Sequence, residues 1–345
     1  MLDNEPLISV IMSNYNTPET YLRQAIESIL GQTYKKIEFI IVDDCSSNNS
    51  LKIICDYCDD RIHLIKNENN IGITRSLNKA LQASKGDFIA RMDSDDISLP
   101  ERFEKQVTFL QNHQDVIVCG TWAEIFGDGY NDNKKKMLCN VIPPKDEYSV
   151  ILLFGNGYNI IHPTAMFRHD YMIKNKICYD ERYRYAQDYK MWITCNHFGE
   201  CAIVPEVLFK YRIHDKAISS NKVQEQRDCV YSIIEEQLKI LDIKLDKNNF
   251  IKHQGLIFSK KSYDEFYYKW LEKIINKNSK KHIYNQNVLE KLLYKKMAEN
   301  AYNGIADTNC RFFDKFIRLI KIPSHAWWPF IKIFIKKFHN LVYYQ

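Results

Sequence analysis

Twice in the first hundred residues a short run of buried-type side chains ends abruptly in carboxylates. Phe39-Ile40-Ile41-Val42 runs into Asp43-Asp44, and Phe88–Met92 runs into Asp93-Ser94-Asp95-Asp96. Apolar runs of this length, rich in β-branched residues, suit strands covered on both faces, as in a parallel sheet flanked by helices. The intervening segments fit that arrangement. Leu7–Met12 reads as the first strand. Thr17 as an N-cap and Pro18 at the first helical position then start a helix, whose apolar face is Leu22, Ala25, Ile26, Ile29 and Leu30. Further helices are expected near Ser50–Cys58, over Thr74–Ala83, and from Pro100 with Phe103, Val107 and Leu110. Further strands are expected at Ile62–Lys66 and Val116–Cys119. The β-α-β-α order gives an α/β fold with a mostly parallel, Rossmann-like sheet flanked by helices. Ligands of such sheets sit outside the carboxyl ends of the strands, where both acidic clusters lie.

The pattern loosens after residue 120. A polar loop at Gly127–Lys136 leads to a helix near Asp146–Phe154, extended pieces at Thr164–Arg168 and Leu208–Arg212, and a helix over Asp188–Phe198 between them. From about 219 onward only helical spacing remains, as in Val230, Ile233, Ile234, Leu238 and Leu241. The expected organisation is an α/β domain over 1–218, whose stretches 1–120 and 121–218 differ in pattern, and a helical C-terminal region over 219–345.

The formal charge of +5 is carried entirely by residues 301–345, which hold seven Lys/Arg and two Asp. The neutral remainder argues against nucleic acid as a partner, which needs a basic face. Within 315–344 the basic residues alternate with Trp327, Trp328, Phe330, Phe334 and other apolar side chains, and Pro323 and Pro329 interrupt the stretch. This face either lies on an anionic membrane surface or packs on the other C-terminal helices or a second subunit of a homo-oligomer. The acidic N-terminus, the absence of a long apolar run and ten irregularly spaced Cys lead to an expectation of a cytoplasmic protein with reduced thiols. Cys55 and Cys58 read as packing residues on a helix.

A strand end followed by two carboxylates one residue apart suits a hard divalent cation such as Mg²⁺ or Mn²⁺, which usually shares its ligands with substrate phosphates. Five segments then resemble, in order, those of the family 2 glycosyltransferases. They are Ser9–Asn16, Ser28–Tyr34, Glu38–Ser46, Asn70–Asn78 and Gly86–Asp96, the last continuing to Leu99-Pro100-Glu101-Arg102. The resemblance covers about the first hundred residues closely and continues loosely to about 215. It implies a GT-A fold, a nucleotide-sugar donor and a divalent metal, and makes 1–218 a catalytic domain with its donor half at 1–120 and its acceptor half at 121–218.

Residue by residue, the resemblance places Ser13 and Asp44 against base and ribose, with Asp43 beside them in either a binding or a structural role. Arg75 falls near the uracil or the phosphates. Asp93 falls near ribose and metal, Asp95 on the metal, and Asp96 braces the following turn. Tyr185-Ala186-Gln187-Asp188 is similar to the family's Glu-Asp-Tyr segment, which makes Asp188 the general base; Gln187 stands where the family has Glu and bears on the acceptor. His214, in Tyr211-Arg212-Ile213-His214, is placed on the metal or diphosphate, and His162, in His162-Pro163-Thr164, on the acceptor. Trp192 is read as core rather than as a sugar platform.

The implied reaction is a single displacement at the anomeric carbon, with inversion. The donor is a UDP-sugar carrying a hexose or N-acetylhexosamine. The acceptor is a saccharide or lipid-linked saccharide of a surface polysaccharide such as lipopolysaccharide or capsule. Two alternatives differ in class. A nucleotidyltransferase would carry a Gly-rich basic loop where Asn14–Pro18 stands. An inactive binding protein would not need Asp44, Asp93, Asp95 and Asp188 together.

Overall fold

The computed structural model describes residues 5–127, 136–155, 160–214, 222–247, 249–250, 253–254 and 265–306. The basic tail at 315–344 lies outside the described residues, as does most of the Gly127–Lys136 loop. The described residues divide into two compact units, one within Met1–Lys145 and Tyr158–Val230, the other within Asp146–Gly157 and Tyr231–Gln345. The sequence expectation drew one boundary near 218–222. The units instead divide within the helix Val223–Ile240, and the stretch 146–157, expected in the acceptor half, groups with the C-terminal helices.

The first unit holds the sheet. Its strands are β1 (Ile8–Asn14), β2 (Ile37–Asp43), β3 (Ile62–Lys66), β4 (Phe88–Asp93), β5 (Ile97–Ser98), β6 (Val116–Gly127), β7 (Lys136–Leu138), β8 (Met166–Arg168) and β9 (Glu200–Ile213). They run in the order β3-β2-β1-β4-β8-β6-β9-β5, with β7 on β6. The helices of this unit are α1 (Glu19–Leu30), α2 (Ser50–Cys55), α3 (Ile73–Ala83), α4 (Arg102–Asn112), α6 (His169–Lys174) and α7 (Gln187–Phe198); α5 (Lys145–Leu152) falls almost wholly in the second unit.

The apolar runs form the central strands because they can be covered on both faces. Every residue of β2, and all of β1 except Ser13, is buried. β1 pairs in parallel with β2 on one side and β4 on the other, opposing Asn14 to Asp43 and Ser13 to Asp93. This register brings the two acidic runs to one edge of the sheet. Approach before β4 is close: a Cβ on Gly86 would stand 2.6 Å from the Ser9 backbone nitrogen. Strand direction then reverses, because β8 enters antiparallel between β4 and β6. β6 and β9 are far longer than the short apolar runs indicated, and they stay paired through register shifts around Thr121–Ala123.

Two local expectations differ from the structure. α1 opens at Glu19, and Thr17 makes no cap; its hydroxyl lies 2.7 Å from that of Ser94, and its carbonyl accepts from Asn48 and Ser50. Cys55 and Cys58 are exposed rather than packed. α2 is a single short helix that turns Ser50, Ile53 and Ile54 inward, which leaves Cys55 outside and Cys58 beyond its end.

In the second unit, α5 and the residues after it pack with the C-terminal helices. Leu152 and Leu153 offer carbonyls to Gln237 and His253. His253 is fully buried and stacked on Phe154; its Nε2 lies 2.9 Å from the Leu153 oxygen, and its Nδ1 accepts from the Trp270 indole at 2.9 Å. No helix among the described residues is long and apolar enough to cross a membrane.

Burial pushes the His253 imidazole down to about 4, from an ordinary 6.5. The folded state therefore holds this group neutral while the unfolded chain takes up a proton below about 6.5. Its contribution is fully present above that pH and is lost as pH falls toward 4, amounting to roughly 3 kcal/mol. Chemical denaturation at a series of pH values is expected to show this acid-side loss in the native chain. A His253→Gln variant should show a flatter profile; equal slopes would remove His253 as the cause.

Candidate functional site

A cleft of about 930 Å³ opens at the carboxyl ends of β1, β2 and β4, within the first unit. Its donor wall comes from the strand ends and the loops after them. Ser13 and Asp44 line it; Asp43 does not. Asp43 is spent internally, accepting from Asn14 Nδ2 at 2.7 Å, the Ser46 hydroxyl at 2.6 Å and the Ser46 N–H at 3.1 Å. Asp44 is almost fully buried and holds the loop that follows β3, accepting from Asn67 Nδ2 and from the N–H groups of Ile71 and Gly72 at 2.8–2.9 Å. Gly72 has φ +88°, a conformation that suits a residue without a Cβ.

The floor is the acidic segment after β4. One carboxylate oxygen each of Asp93, Asp95 and Asp96 falls in a group whose members lie within 4.8 Å of one another. Asp93 is paired with Arg91, a fully buried guanidinium on β4. Asp96 accepts the Arg212 N–H at 2.7 Å through Oδ1, while its buried Oδ2 has no partner among the described residues. Asp95 Oδ2 lies 2.9 Å from His214 Nε2. Burial, reinforced by the charge of Asp93, raises the Asp95 pKa, and the His214 contact pulls it back. Burial and the charges of Asp95 and Asp93 raise Asp96 well above the carboxylate range.

Crowded hard oxygens with an orphaned buried acceptor are the donor set that a divalent cation satisfies, so these residues fit Mg²⁺ or Mn²⁺. His214 adds a nitrogen within reach of the same group. Arg212 stabilises the whole segment. Its guanidinium sits between the rings of Tyr21 and Phe126, 4.0 and 4.3 Å from their centroids, and donates to the Asp95 carbonyl and to Gln24 Oε1.

The opposite wall comes from the start of α7 and the segment at Ile160–Pro163. Asp188 stands in the first turn of α7, faces the cleft, and accepts the Tyr189 N–H at 2.8 Å. Burial raises its pKa, and the backbone N–H groups at the helix start oppose that rise. Gln187 also lines the cleft, and its buried Oε1 has no partner among the described residues. His162 lines the cleft with Nε2 2.8 Å from the Tyr179 hydroxyl; burial, and then the charge of Arg91, holds its pKa well below the usual range, so the ring is neutral. Trp192 is fully buried with its ring facing Phe167 and takes no part in the cleft.

The structure thus brings Ser13, Asp44, Asp93, Asp95, His162, Gln187, Asp188 and His214 to one cleft. It does not bring Arg75 there. That side chain is exposed and ion-paired with Glu181 at 2.9 Å. Sequence reasoning passed over three residues that matter to the site: Arg91, Arg212 as the clamp on Asp95 and Asp96, and Arg184, which lines the cleft beside Gly72. A basic residue inside the apolar run Phe88–Met92 was the available signal for Arg91; nothing local marks Arg184.

Residues 9–175 match the family model described as glycosyl transferase family 2. An uncharacterized glycosyltransferase of Methanocaldococcus jannaschii is 36% identical over 242 residues, covering 68% of this chain and 81% of that protein. The amylovoran biosynthesis glycosyltransferase AmsE of Erwinia amylovora is 30% identical over 251 residues, covering 71% of this chain and 89% of its own. Among solved structures, S. aureus TarS 1–349 in complex with UDP-GlcNAc superposes with a TM-score of 0.56 at 18% identity, covering 93% of this chain and 89% of that one. This last likeness shows the fold: a GT-A arrangement of a mixed α/β sheet with helices beyond it.

Because Arg212 makes planar, forked contacts between two rings, lysine cannot replace it. Arg212→Lys is expected to cost about 1–3 kcal/mol of stability, measured by chemical denaturation. A variant as stable as the native chain would show that the clamp is not needed for folding.

Proposed function

The chain belongs to glycosyl transferase family 2, and from that premise we propose that it moves a hexose or N-acetylhexosamine from a UDP-sugar to a hydroxyl of a saccharide or lipid-linked saccharide acceptor in the assembly of a surface polysaccharide, with inversion. The observation that carries this reading is the sharing of one cleft by Asp44, the Asp93–Asp95–Asp96 group and Asp188. The relationship to AmsE supports polysaccharide assembly, and the UDP-GlcNAc bound by the fold neighbour TarS supports a uridine-linked donor.

In this reading Ser13 and Asp44 hold the nucleoside, Asp44 chiefly by fixing the loop through Ile71 and Gly72. Asp95, with Asp93 and His214, would hold Mn²⁺ or Mg²⁺, which supplies neutralising charge for the departing nucleoside diphosphate. Asp188 accepts the proton of the acceptor hydroxyl from the facing wall. A carboxylate suffices as base because the hydroxyl becomes acidic only as its bond to carbon forms. The partial burial that raises the Asp188 pKa also raises its basicity. Neutral His162 and Gln187, whose Oε1 is unpartnered among the described residues, are groups suited to bind a sugar hydroxyl.

Incubation with UDP-sugars, with Mn²⁺ or with EDTA, tests the reading by donor hydrolysis and transfer. Asp95→Ala is expected to abolish metal-dependent UDP binding and transfer while folding no less stably, since it relieves repulsion with Asp93 and Asp96. A variant that turns over normally would remove the metal assignment.

Asp188→Asn is expected to bind donor as before and to transfer about 10²–10⁴ times more slowly. The native rate should fall on the acid side at a pH above that of an ordinary aspartate, because the folded pKa is raised. Normal transfer by the variant would place the base elsewhere, and native protein inert toward every nucleotide sugar would favour an inactive binding protein.

A further inference from the structure

Among the side chains lining the cleft, Arg184 has no counterpart in the function described so far. It lies in the segment just before α7, and its guanidinium packs over Gly72. A Cβ at Gly72 would stand 2.9 Å from Nε and 3.1 Å from Cζ of Arg184. Gly72 in turn donates its N–H to Asp44 at 2.8 Å, so Arg184 rests on the loop that the donor-wall carboxylate holds in place. Its other near neighbour is the Tyr185 ring, 5.5 Å from Cζ. Among the described residues Arg184 makes no ion pair or hydrogen bond. The neighbouring cation is Lys222, 6.0 Å from the same ring, and Lys222 is paired with Glu225 at 2.7 Å.

Charge therefore sits unevenly in the cleft. The floor concentrates carboxylates that call for a cation, while the rim beside Gly72 presents a guanidinium that calls for an anion. Arg75, on the first turn of α3, has its charge engaged by Glu181 and stands outside the cleft.

We propose that Arg184, not Arg75, is the side chain that grips the phosphates of the nucleotide donor. The inference rests on the nucleotide-sugar reading above. A guanidinium suits the task because its planar fork matches phosphate oxygens and its charge is permanent. The residue enters from the acceptor side of the cleft, so it joins the two walls once a nucleotide lies between them.

Isothermal titration with UDP and with uridine, both in saturating Mn²⁺, tests this without relying on turnover. Arg184→Gln is expected to weaken UDP about 10- to 100-fold and to leave uridine binding unchanged. Arg184→Lys should recover part of the loss, since it keeps the charge and lacks the fork. Arg184 is exposed, so neither variant puts folding at risk. Unchanged UDP affinity in Arg184→Gln would overturn the proposal. So would equal losses for UDP and uridine, which would assign Arg184 to the base, or a loss confined to Arg75→Gln, which would return the phosphates to Arg75. Native protein that binds neither UDP nor GDP would fail the donor reading itself, an outcome separate from those three.

Discussion

Carboxylates gathered at the ends of β2 and β4, the two parallel neighbours of β1, set the conditions for the rest of the first unit. The pairing of β1 with β2 and β4 puts Asn14 beside Asp43 and Ser13 beside Asp93, so acidic side chains converge because the backbone ladder aligns them. Burying such groups is costly unless each is hydrogen-bonded or paired. The structure meets that cost unequally. Asp43 takes Asn14 and Ser46, Asp44 takes three N–H donors, and Asp93 takes Arg91. Asp96 is satisfied on one oxygen only, and Asp95 has just a histidine beside it. Compensation runs out where the cleft is deepest in negative charge, and that is where chemistry can be done.

A second buried cation stands behind this edge. Arg102 is fully buried on α4, between the rings of Phe103 and Phe209, with no carboxylate partner among the described residues. It donates to Gln106 and to the carbonyls of Arg91 and Ala165, which ties α4 to β4 and to the approach of β8. Burial lowers its pKa to about 9, and the nearby charge of Arg91 adds to that shift, yet the guanidinium still carries its proton at neutral pH.

Much of this was written in the sequence, and the divisions between legible and illegible are physical. The strands β1, β2 and β4 could be read because a strand covered on both faces needs an unbroken apolar run. The acidic ends could be read because charge after such a run has few places to go. Asp188 at the start of α7 needed the resemblance, since a first-turn aspartate is otherwise an ordinary helix start. The full lengths of β6 and β9 were hidden because their pairing runs on through half-exposed, irregular positions such as Trp122 and Glu206. The engagement of Arg75 by Glu181, and the freedom of Arg184 three residues further on, are facts of side-chain placement that no local pattern encodes. The grouping of 146–157 with the C-terminal helices depends on partners far along the chain, such as His253 and Gln237.

The antiparallel entry of β8 carries a consequence for how the chain is made. Strands β1 to β4 are complete once Asp93 has emerged, and β6 once Gly127 has, but the three residues that join them, Met166–Arg168, come later than either. A nascent chain released as far as Thr164 therefore carries two open sheet edges whose natural partner has not yet been synthesised. Unpaired edges of this kind recruit other strands, including those of neighbouring copies. Arg168 ties the inserted strand in place, reaching from β8 to the carbonyls of Leu110, His113 and Val116. Some forty residues separate the last of β6 from that arginine, and β6 waits longer still for its other neighbour, β9, at Glu200–Ile213.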